Sequence, residues 1–355
     1  MKTINIALLG FGTVGSGVAE VLTENAGLIK SRTGADIYVK YILDLRDFPD
    51  HPLGDRVVHD INIILNDPEI KIVAEMMGGV HPAYDFSMAA LKAGKNVVTS
   101  NKAVVADFGP ELLAEARKHG SRYLFEASVG GGIPIIRALT EQTAGNDIYE
   151  IDGILNGTTN YILTEMLKNG TSFDDALSSA QKLGYAEADP TADVDGFDAC
   201  RKICILAAVA FGKLVPFEKV STEGIRKITT DDIKKAAENG CAVKLIARAV
   251  KTGDGVYLKT EPVAVRKTNP LCPIEDVFNG VLIRGTVSGD LMFFGRGAGK
   301  LPTAGAVVSD IIDIATHDGN QPEQQLWERD GSIYRDSLPA ELRESSLKEL
   351  GYPLF

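Results

Sequence analysis

The 355-residue chain has few of the residues that mark secreted or metal-binding proteins. It contains four cysteines without a zinc-like spacing, five scattered histidines and a single tryptophan, Trp327. Cys200 and Cys204 are one helical turn apart among apolar residues, which favours buried free thiols over disulfides. We therefore expect a cytoplasmic protein, because the cytoplasm keeps thiols reduced.

Positive charge and long apolar runs are also scarce. The formal net charge is −11, and no basic face is visible that could bind a phosphate backbone, so we expect no nucleic acid partner. No apolar run approaches the roughly 20 residues that span a bilayer, which argues against a membrane partner. The N-terminal MKTINIALLG runs into a glycine turn and predicts a first strand rather than a signal peptide.

A glycine-rich turn follows that first strand. Residues 3–9 are apolar, and a helical pattern then extends to about Lys30. The turn between them consists of Gly10, Phe11, Gly12, Thr13, Val14 and Gly15. Gly10 would allow the tight turn, Gly12 would let a pyrophosphate approach the backbone, and Gly15 would let the helix pack on the strand. The helix N-terminus would bind the phosphates, so the pattern predicts a dinucleotide site.

The end of the second strand leaves the choice of dinucleotide open. Asp44 follows the apolar segment IYVKYIL and favours the ribose hydroxyls of NAD. Arg46 could instead pair with the 2′-phosphate of NADP. We expect use of both coenzymes.

Strands and helices continue to alternate up to about residue 130. Apolar segments at 70–77, 96–100 and 122–128 predict strands, with helical patterns at 82–93 and 109–119. This alternation predicts an α/β domain of Rossmann type with a parallel sheet. Gly78, Ser100, Asn101 and Lys102 come after strands, where such sheets bind their ligands, and are candidate cofactor contacts.

The pattern changes after residue 135. A strand at 149–155, helices at about 161–169 and 197–211, and strands at 241–251, 256–265 and 281–294 predict an α+β domain with an open mixed sheet. We place a nucleotide-binding domain at 1–135 and a catalytic and dimerisation domain at 136–302, and we expect 303–355 to pack back onto the first. The glycine-rich start of the helix 303–316 adds Gly297 and Thr303 as cofactor candidates.

Five carboxylates lie close together before an apolar helix. They are Glu187, Asp189, Asp193, Asp195 and Asp198, and Lys202 follows on the helix. Because like charges repel, the arrangement indicates a cationic or hydrogen-bonding partner, such as a substrate ammonium or hydroxyl. The alternative is a solvated acidic loop.

This region resembles the signature of homoserine dehydrogenases. The matching residues are Ala180, Gly184, Tyr185, Ala186, Asp189, Pro190, Asp193, Val194, Gly196, Asp198 and Lys202. The segments TSNKA (99–103), EASVGGGIP (126–134), NGTTNYI (156–162) and GRGAGKLPTA (295–304) are similar to that family in the same order. The resemblance covers residues 3–317 and implies NAD(P)-dependent interconversion of L-homoserine and L-aspartate 4-semialdehyde, on the path to threonine, methionine and isoleucine.

The resemblance also implies roles for particular residues. The implied substrate contacts are Gly157, Thr158, Tyr185, Glu187, Asp193 and Asp198. Lys202 is our candidate general acid, since a partly buried ammonium gives up its proton more readily, and Asp198 four residues earlier can hold it. In isolation this pair could also be an ordinary ion pair on a helix surface. Lys102 is the competing proton donor, which we interpret as an electrostatic and positioning group.

Further implications concern a cation, an assembly and a regulatory domain. Some members hold a sodium ion, for which the matching residues here are Glu126, Val129, Gly131 and Ile133. The run of three glycines in this segment is equally compatible with a tight hinge. Family precedent implies a homodimer formed through the sheet of the second domain. Only about 38 residues follow His317, so we expect a short form without a ligand-sensing domain and without threonine inhibition through one.

Two other interpretations remain. Another amino-acid-linked dehydrogenase, such as a diaminopimelate or aspartate dehydrogenase, could share the two-domain plan, but we do not expect it to contain the block from Glu187 to Lys202. A nucleotide-binding sensor without catalysis is the second, and the combination of Lys102, Asp198 and Lys202 argues against it.

Overall fold

The computed structural model describes residues 2–317 and 324–354 and divides into two compact units. The first consists of the described residues of Met1–Pro134 and Ala298–Trp327. The second consists of those of Ile135–Gly297 and Glu328–Phe355.

The first unit is built on a parallel sheet with the strand order β3-β2-β1-β4-β5-β6. Its strands are β1 (Lys2–Leu9), β2 (Ala35–Leu43), β3 (Val57–Val58), β4 (Ile70–Glu75), β5 (Asn96–Thr99) and β6 (Tyr123–Leu124). Its helices up to residue 134 are α1 (Thr13–Glu24), α2 (Ala26–Thr33), α3 (Ile61–Leu65), α4 (Ala83–Lys92) and α5 (Lys102–Lys118). The strands are mostly buried and read as continuous apolar runs, as expected when helices cover both faces of a sheet. The predicted Rossmann-type class is confirmed.

Three of the elements predicted before residue 134 differ clearly from the observed ones. The helix expected through Lys30 breaks at Asn25, a poor helix former, into α1 and α2. The helix expected from 109 begins at Lys102, because the side chain of Asn101 caps it and Pro110 lies inside it rather than at its start. The strand expected at 122–128 ends at Leu124, since Glu126–Ser128 form a buried 3₁₀ turn.

The second unit is built on a mixed sheet with the order β13-β12-β7-β10-β11-β15. Its strands are β7 (Ile148–Ile154), β8 (Lys213–Leu214), β9 (Ser221–Thr222), β10 (Cys241–Lys251), β11 (Val256–Arg266), β12 (Phe278–Gly285), β13 (Gly289–Arg296), β14 (Glu328–Arg329), β15 (Tyr334–Arg335) and β16 (Gly351–Pro353). The remaining helices are α6 (Gly157–Asn169), α7 (Phe173–Lys182), α8 (Thr191–Val194), α9 (Phe197–Phe211), α10 (Thr230–Glu238), α11 (Lys300–Thr316), which belongs to the first unit, and α12 (Ala340–Glu349). The predicted α+β character with an open sheet is confirmed.

The C-terminal segment is divided between the units. Trp327 packs edge-on against Phe125, with ring centroids 5.1 Å apart, in the first unit. From Glu328 onward the chain belongs to the second unit: β14 pairs with β8 in a separate two-stranded sheet, while β15 and β16 pair with β11 of the mixed sheet. The expectation that 303–355 packs on the nucleotide-binding domain is therefore wrong for 328–354, whose backbone satisfies strands that would otherwise have unpaired edges. Residues 318–323 and 355 lie outside the described residues.

Charged side chains are buried in the middle of the second sheet. Arg248 lies 2.6 Å from Glu150, and Arg284 lies 2.7 Å from Glu150 and 2.8 Å from Asp152. Burial, and then the charge of Asp152, raise the pKa of Glu150 to about 7. Two arginines thus balance two carboxylates, as buried charges require.

All four cysteines are buried free thiols, as predicted for Cys200 and Cys204. Within 2–317 and 324–354, no three His, Cys, Asp or Glu side chains are grouped to hold a metal ion. None of the helices in these parts of the chain has both the length and the hydropathy that a bilayer crossing requires.

Candidate active site

The glycine turn after β1 has the geometry of a phosphate-binding loop. Gly10 has φ +87°, which an L side chain rarely adopts. A Cβ on Gly15 would lie 2.1 Å from the carbonyl oxygen of Gly10, so Gly15 packs against the turn itself rather than the strand. A Cβ on Gly12 would meet nothing within 4 Å, so the backbone there faces open space at the N-terminus of α1. Bare backbone at the positive end of a helix suits a pyrophosphate.

Asp44 links this turn to the end of β2. Its Oδ2 accepts hydrogen bonds from the Phe11 amide at 2.8 Å and from Arg46 Nη2 at 3.1 Å. Its Oδ1 accepts from the amide and Nε of Arg46, both at 3.0 Å. The hydrogen bond from the Arg46 side chain is the main cause that lowers the pKa of Asp44 to about 2. Asp44 and Arg46, between which the sequence left the choice of coenzyme open, therefore form one ionised pair, and Arg46 is its more exposed member.

The loops after β4 and β5 lie side by side because these strands are neighbours. Glu75 and Thr99, their last residues, are directly opposite each other in the parallel pair. Gly78 and Gly79 are exposed in the first loop. In the second, Asn101 Nδ2 donates to the carbonyl oxygen of Gly79 at 2.7 Å, which ties the loops together. Lys102 is the first residue of α5, where the helix dipole is positive.

The glycine-rich segment before α11 contributes to both units. Gly297, in the second unit, lies against the buried side chain of Asn279, where a Cβ would be 2.1 Å from the carboxamide. Thr303 lies in the first turn of α11, in the first unit. There α11 packs closely on α1, because a Cβ on Gly17 would lie 3.0 Å from Lys300. The helix start thus belongs to the same unit as the phosphate-binding loop.

The segment proposed for a cation follows the buried 3₁₀ turn of the first unit. Glu126 and Val129 are buried, and the Glu126 amide donates to Asp310 at 2.9 Å. Gly130 and Gly131 have φ +77° and +52°, and the amide of Ile133 closes a turn onto Gly130 at 2.9 Å. Glycine adopts these left-handed angles without strain, so the segment forms the tight turn that its sequence allows.

A buried ion pair lies at the start of α9 in the second unit. Lys202 Nζ donates to Asp198 Oδ2 at 2.7 Å and to the carbonyl oxygen of Leu155 at 2.8 Å. Only 8% of Lys202 and 4% of Asp198 is exposed. The alternative of an ordinary surface pair is therefore wrong, since the two side chains face the interior, where an ion pair persists only if further hydrogen bonds hold it.

Asn156 supplies those further bonds. It caps α6 by accepting from the Thr159 amide at 2.8 Å. Its Nδ2 donates to Asp193 Oδ1 at 2.7 Å and to Asp198 Oδ2 at 2.9 Å. One carboxamide thus bridges carboxylates from α8 and α9 at the N-terminus of α6.

Asp193 shares the bridging amide of Asn156 with Asp198. Its Oδ2 lies 3.1 Å from the hydroxyl of Thr158, whose single proton it shares with the Tyr185 carbonyl oxygen at 2.7 Å. Burial, and then the charge of Asp198, raise the pKa of Asp193. A carboxylate whose ionised form is disfavoured in this way is stabilised by a nearby cation or hydrogen-bond donor.

The other three carboxylates of the acidic run lie outside this cluster. Asp195 pairs with Arg226 at 2.5 Å, and Asp189 caps the turn at Thr191 with a 3.1 Å bond. Glu187 is exposed, as is Tyr185 at 43%. Of the five carboxylates, Asp189 and Asp195 therefore hold the local structure, and Glu187 faces solvent. The structure brings the other two, Asp193 and Asp198, together with Lys202 and Thr158.

Comparisons with known proteins agree with this geometry. A family model described as "Homoserine dehydrogenase" matches residues 134–312, and one described as "Homoserine dehydrogenase, NAD binding domain" matches 10–126. The homoserine dehydrogenase of Synechocystis sp. is 46% identical over 319 residues, which are 88% of this chain and 73% of that protein.

The chain belongs to the homoserine dehydrogenase family.

Solved structures of the family have the same fold. The homoserine dehydrogenase of Thiobacillus denitrificans superposes with a TM-score of 0.87 at 39% identity, over 95% of this chain and 79% of that one. A hyperthermophilic archaeal homoserine dehydrogenase in complex with NADPH has a TM-score of 0.76 at 30% identity, over 90% of this chain and 99% of that one. This member of the family is an NAD(P)-dependent oxidoreductase of amino-acid biosynthesis, and a deaminating dehydrogenase or a non-catalytic sensor is not favoured.

Sequence reasoning about this homoserine dehydrogenase site missed two residues. Asn156 lies in the NGTTNYI segment, and its position between a strand and a helix signals a cap, but nothing local shows that its amide reaches Asp193 and Asp198. Glu75 ends an apolar strand, where a charge is itself unusual, and it is fully buried.

Proposed function

We propose that Lys202 is the acid–base group for the interconversion of L-homoserine and L-aspartate 4-semialdehyde, and that the second unit binds this substrate. The observation that carries the proposal is the buried Lys202–Asp198 pair bridged through Asn156 to Asp193. Such an array is costly to bury, and a charged substrate would account for it.

The ammonium of homoserine suits the carboxylates around the start of α6. Asp193 lies beside Thr158 at the start of α6, and Tyr185 is linked to the same threonine through its carbonyl oxygen. We assign Asp193 and exposed Glu187 to the ammonium and hydroxyl of the substrate, both of which can donate to carboxylates. Amides at the N-terminus of α6, around Gly157 and Thr158, suit its carboxylate.

Lys202 is oriented for proton transfer. Within the described residues it donates two hydrogen bonds, to Asp198 and to the Leu155 carbonyl oxygen. A lysine ammonium has three donors, so the remaining N–H can be directed at a substrate oxygen. We infer that Nζ accepts the hydroxyl proton as the alcohol is oxidised and returns it as the aldehyde is reduced. Asp198 holds Nζ in place and stabilises its protonated form.

Most of the proposed cofactor contacts belong to the first unit. Bound NAD(P) supplies the acceptor for the hydride that leaves the alcohol carbon. Gly10, Phe11, Gly12, Thr13, Val14 and Gly15 would hold its pyrophosphate, and Gly78, Ser100, Asn101, Gly297 and Thr303 are further proposed contacts. Lys102 is then an electrostatic and positioning group on α5.

Coenzyme preference depends on the Asp44–Arg46 pair. A carboxylate that already accepts four hydrogen bonds has little capacity left for a ribose diol, whereas the exposed guanidinium of Arg46 can turn to a 2′-phosphate. We therefore propose that both coenzymes are used and that Arg46→Ala weakens NADP more than NAD.

A sodium ion and a homodimer are further proposals. The carbonyls of Val129, Gly131 and Ile133 with Glu126 would bind sodium, which a higher melting temperature in sodium than in choline chloride would support. A second copy would bind through the second sheet, where Met292 and Phe294 of β13 are 37% and 58% exposed. Light scattering of the purified protein measures that assembly.

The testing experiment is the absorbance of the reduced nicotinamide with L-homoserine, recorded separately with NAD and NADP at alkaline pH. Reduction of either coenzyme supports the proposed reaction, and the ratio of the two rates reports on Asp44 and Arg46. Bound coenzyme without reduction would contradict it. Release of ammonia would point to a deaminating dehydrogenase instead.

A further inference from the structure

Glu75 is a fully buried carboxylate that none of the roles above uses. It is the last residue of β4, at the carboxyl edge of the parallel sheet. Burial raises its pKa, and the groups that hydrogen-bond to it are all neutral. A carboxyl group in such a place weakens the fold unless its hydrogen bonds compensate for the lost hydration.

Its two oxygens hold the two neighbouring loops. Oε1 accepts from the Met77 amide at 2.7 Å, which fixes the start of the loop that contains Gly78 and Gly79. Oε2 accepts from the hydroxyl of Thr99 at 2.6 Å, at the end of β5. One carboxyl group therefore spans the strands whose carboxyl ends meet the proposed cofactor contacts.

The hydrogen bonds continue from Thr99 to the first turn of α5. The Thr99 hydroxyl oxygen accepts from the amide of Asn101 at 2.9 Å. Asn101 in turn donates to the Gly79 carbonyl oxygen at 2.7 Å and accepts from the Val104 amide at 3.2 Å, which caps the helix that begins at Lys102. The path from Glu75 through Thr99 and Asn101 thus closes on both loops and ends beside Lys102.

We propose that Glu75 is a positioning residue, which acts through Thr99 and Asn101 to hold the Met77–Gly79 loop and Lys102 in the geometry needed for cofactor binding and turnover. This inference rests on the proposed function, because it concerns the same cofactor contacts and the same lysine. A displacement of about 1 Å at a reacting group can reduce turnover by about a hundredfold. Breaking the hydrogen-bonded path from Glu75 through Thr99 to Asn101 should therefore be measurable in kinetics.

Four variants separate positioning from stability. Glu75→Gln retains an oxygen that accepts from the Met77 amide but replaces the oxygen that accepts from the Thr99 hydroxyl by an amide nitrogen. Thr99→Val removes the hydroxyl itself. Thr99→Ser retains the hydroxyl and therefore both of its hydrogen bonds. Asp313→Asn is the matched control, since Asp313 is also a buried carboxylate of the first unit, 2.5 Å from Arg122.

The measurements are kcat, the KM for homoserine, the Kd for NADH by fluorescence titration of the apoprotein, and the melting temperature. We expect Glu75→Gln and Thr99→Val to lower kcat about tenfold or more and to raise the Kd for NADH. The double variant should lose no more than the worse single one, because both changes break the same path. Thr99→Ser should behave as the wild type, and Asp313→Asn should lower only the melting temperature.

Other results would overturn the proposal. Multiplying effects in the double variant would mean that the residues act independently, and an equal loss of kcat in Asp313→Asn would mean general destabilisation. Wild-type values of kcat and Kd in Thr99→Val would show that the hydrogen-bonded path through Thr99 has no role in cofactor binding or turnover. If the wild type binds NADH but does not oxidise homoserine when NAD or NADP is supplied, the proposed substrate fails, while the Kd series still decides the role of Glu75.

Discussion

Asn156→Asp should destabilise the second unit in proportion to the ionisation of the new carboxyl group. The carboxyl oxygen would replace Nδ2, which lies 2.7 Å from Asp193 Oδ1 and 2.9 Å from Asp198 Oδ2. The other oxygen can still accept from the Thr159 amide, so the cap of α6 is retained. The substitution therefore changes charge and donor capacity at nearly constant shape.

The expected loss follows from the two bonds. Hydrogen bonds to charged groups contribute about 1.5–3 kcal/mol each, so losing both costs about 3–6 kcal/mol of the free energy of unfolding. Repulsion among three carboxylates adds to this loss at neutral pH. The repulsion raises the folded-state pKa of the introduced carboxyl group above its unfolded value of about 3.9. The variant is therefore least impaired below about pH 4 and loses stability as the pH rises through the folded-state pKa.

Urea denaturation of both proteins at several values between about pH 4 and 8 measures this loss. Circular dichroism is the appropriate signal, because the sole tryptophan, Trp327, belongs to the first unit. The matched control is Asn160→Asp on the same helix, where Asn160 Oδ1 lies 3.2 Å from Lys244 Nζ. This variant also loses two donated hydrogen bonds, from Asn160 Nδ2 to the carbonyl oxygens of Ile274 and Phe278, but its new charge faces the Lys244 ammonium instead of two carboxylates. Its stability should therefore fall less steeply with pH than that of Asn156→Asp.

The reasoning is refuted if Asn156→Asp is as stable as the wild type at pH 8. It is also refuted if its deficit does not grow with pH, or if it has the same pH slope as Asn160→Asp. Any of these three results would mean that the carboxamide does not bridge the two carboxylates.

Three further predictions concern catalysis and the second sheet. Lys202→Ala should lower kcat by about a hundredfold or more with nearly unchanged NADH affinity, as stopped-flow and fluorescence titration can show; loss of NADH affinity with normal turnover contradicts the assigned role. Glu187→Gln should mainly raise the KM for homoserine, since it removes a charge that attracts the ammonium in ground and transition states alike; a fall in kcat alone would argue otherwise. Because burial and the charge of Asp152 raise the pKa of Glu150 to about 7, its contribution to stability is present below its ordinary pKa of 4.5 and is lost as the pH rises through 7. Glu150→Gln should therefore gain stability relative to the wild type between pH 4.5 and 7, and a constant difference in denaturation midpoints would count against this sign.

The features that sequence determined are those with a local cause. The turn from Gly10 to Gly15 is readable because positive φ and close packing need glycine wherever the chain later goes. The Asp198–Lys202 pair is readable because residues four apart share a helix face. The alternation of strands and helices likewise predicted the parallel sheet of the first unit.

Tertiary structure decided which distant groups meet. Asn156 reaches Asp193 and Asp198 across 37 and 42 residues, and Glu75 reaches Thr99 across 24, so no local pattern records either contact. The strand pairing of 328–354 within the second unit was missed for a related reason. Its strands are only 2 or 3 residues long, and such short segments carry little sequence signal because they become strands only beside a neighbour with unpaired backbone groups. Sequence fixes backbone conformation and helix faces through nearest-neighbour sterics, whereas the partners of buried polar groups depend on which strands and helices the packed core places side by side.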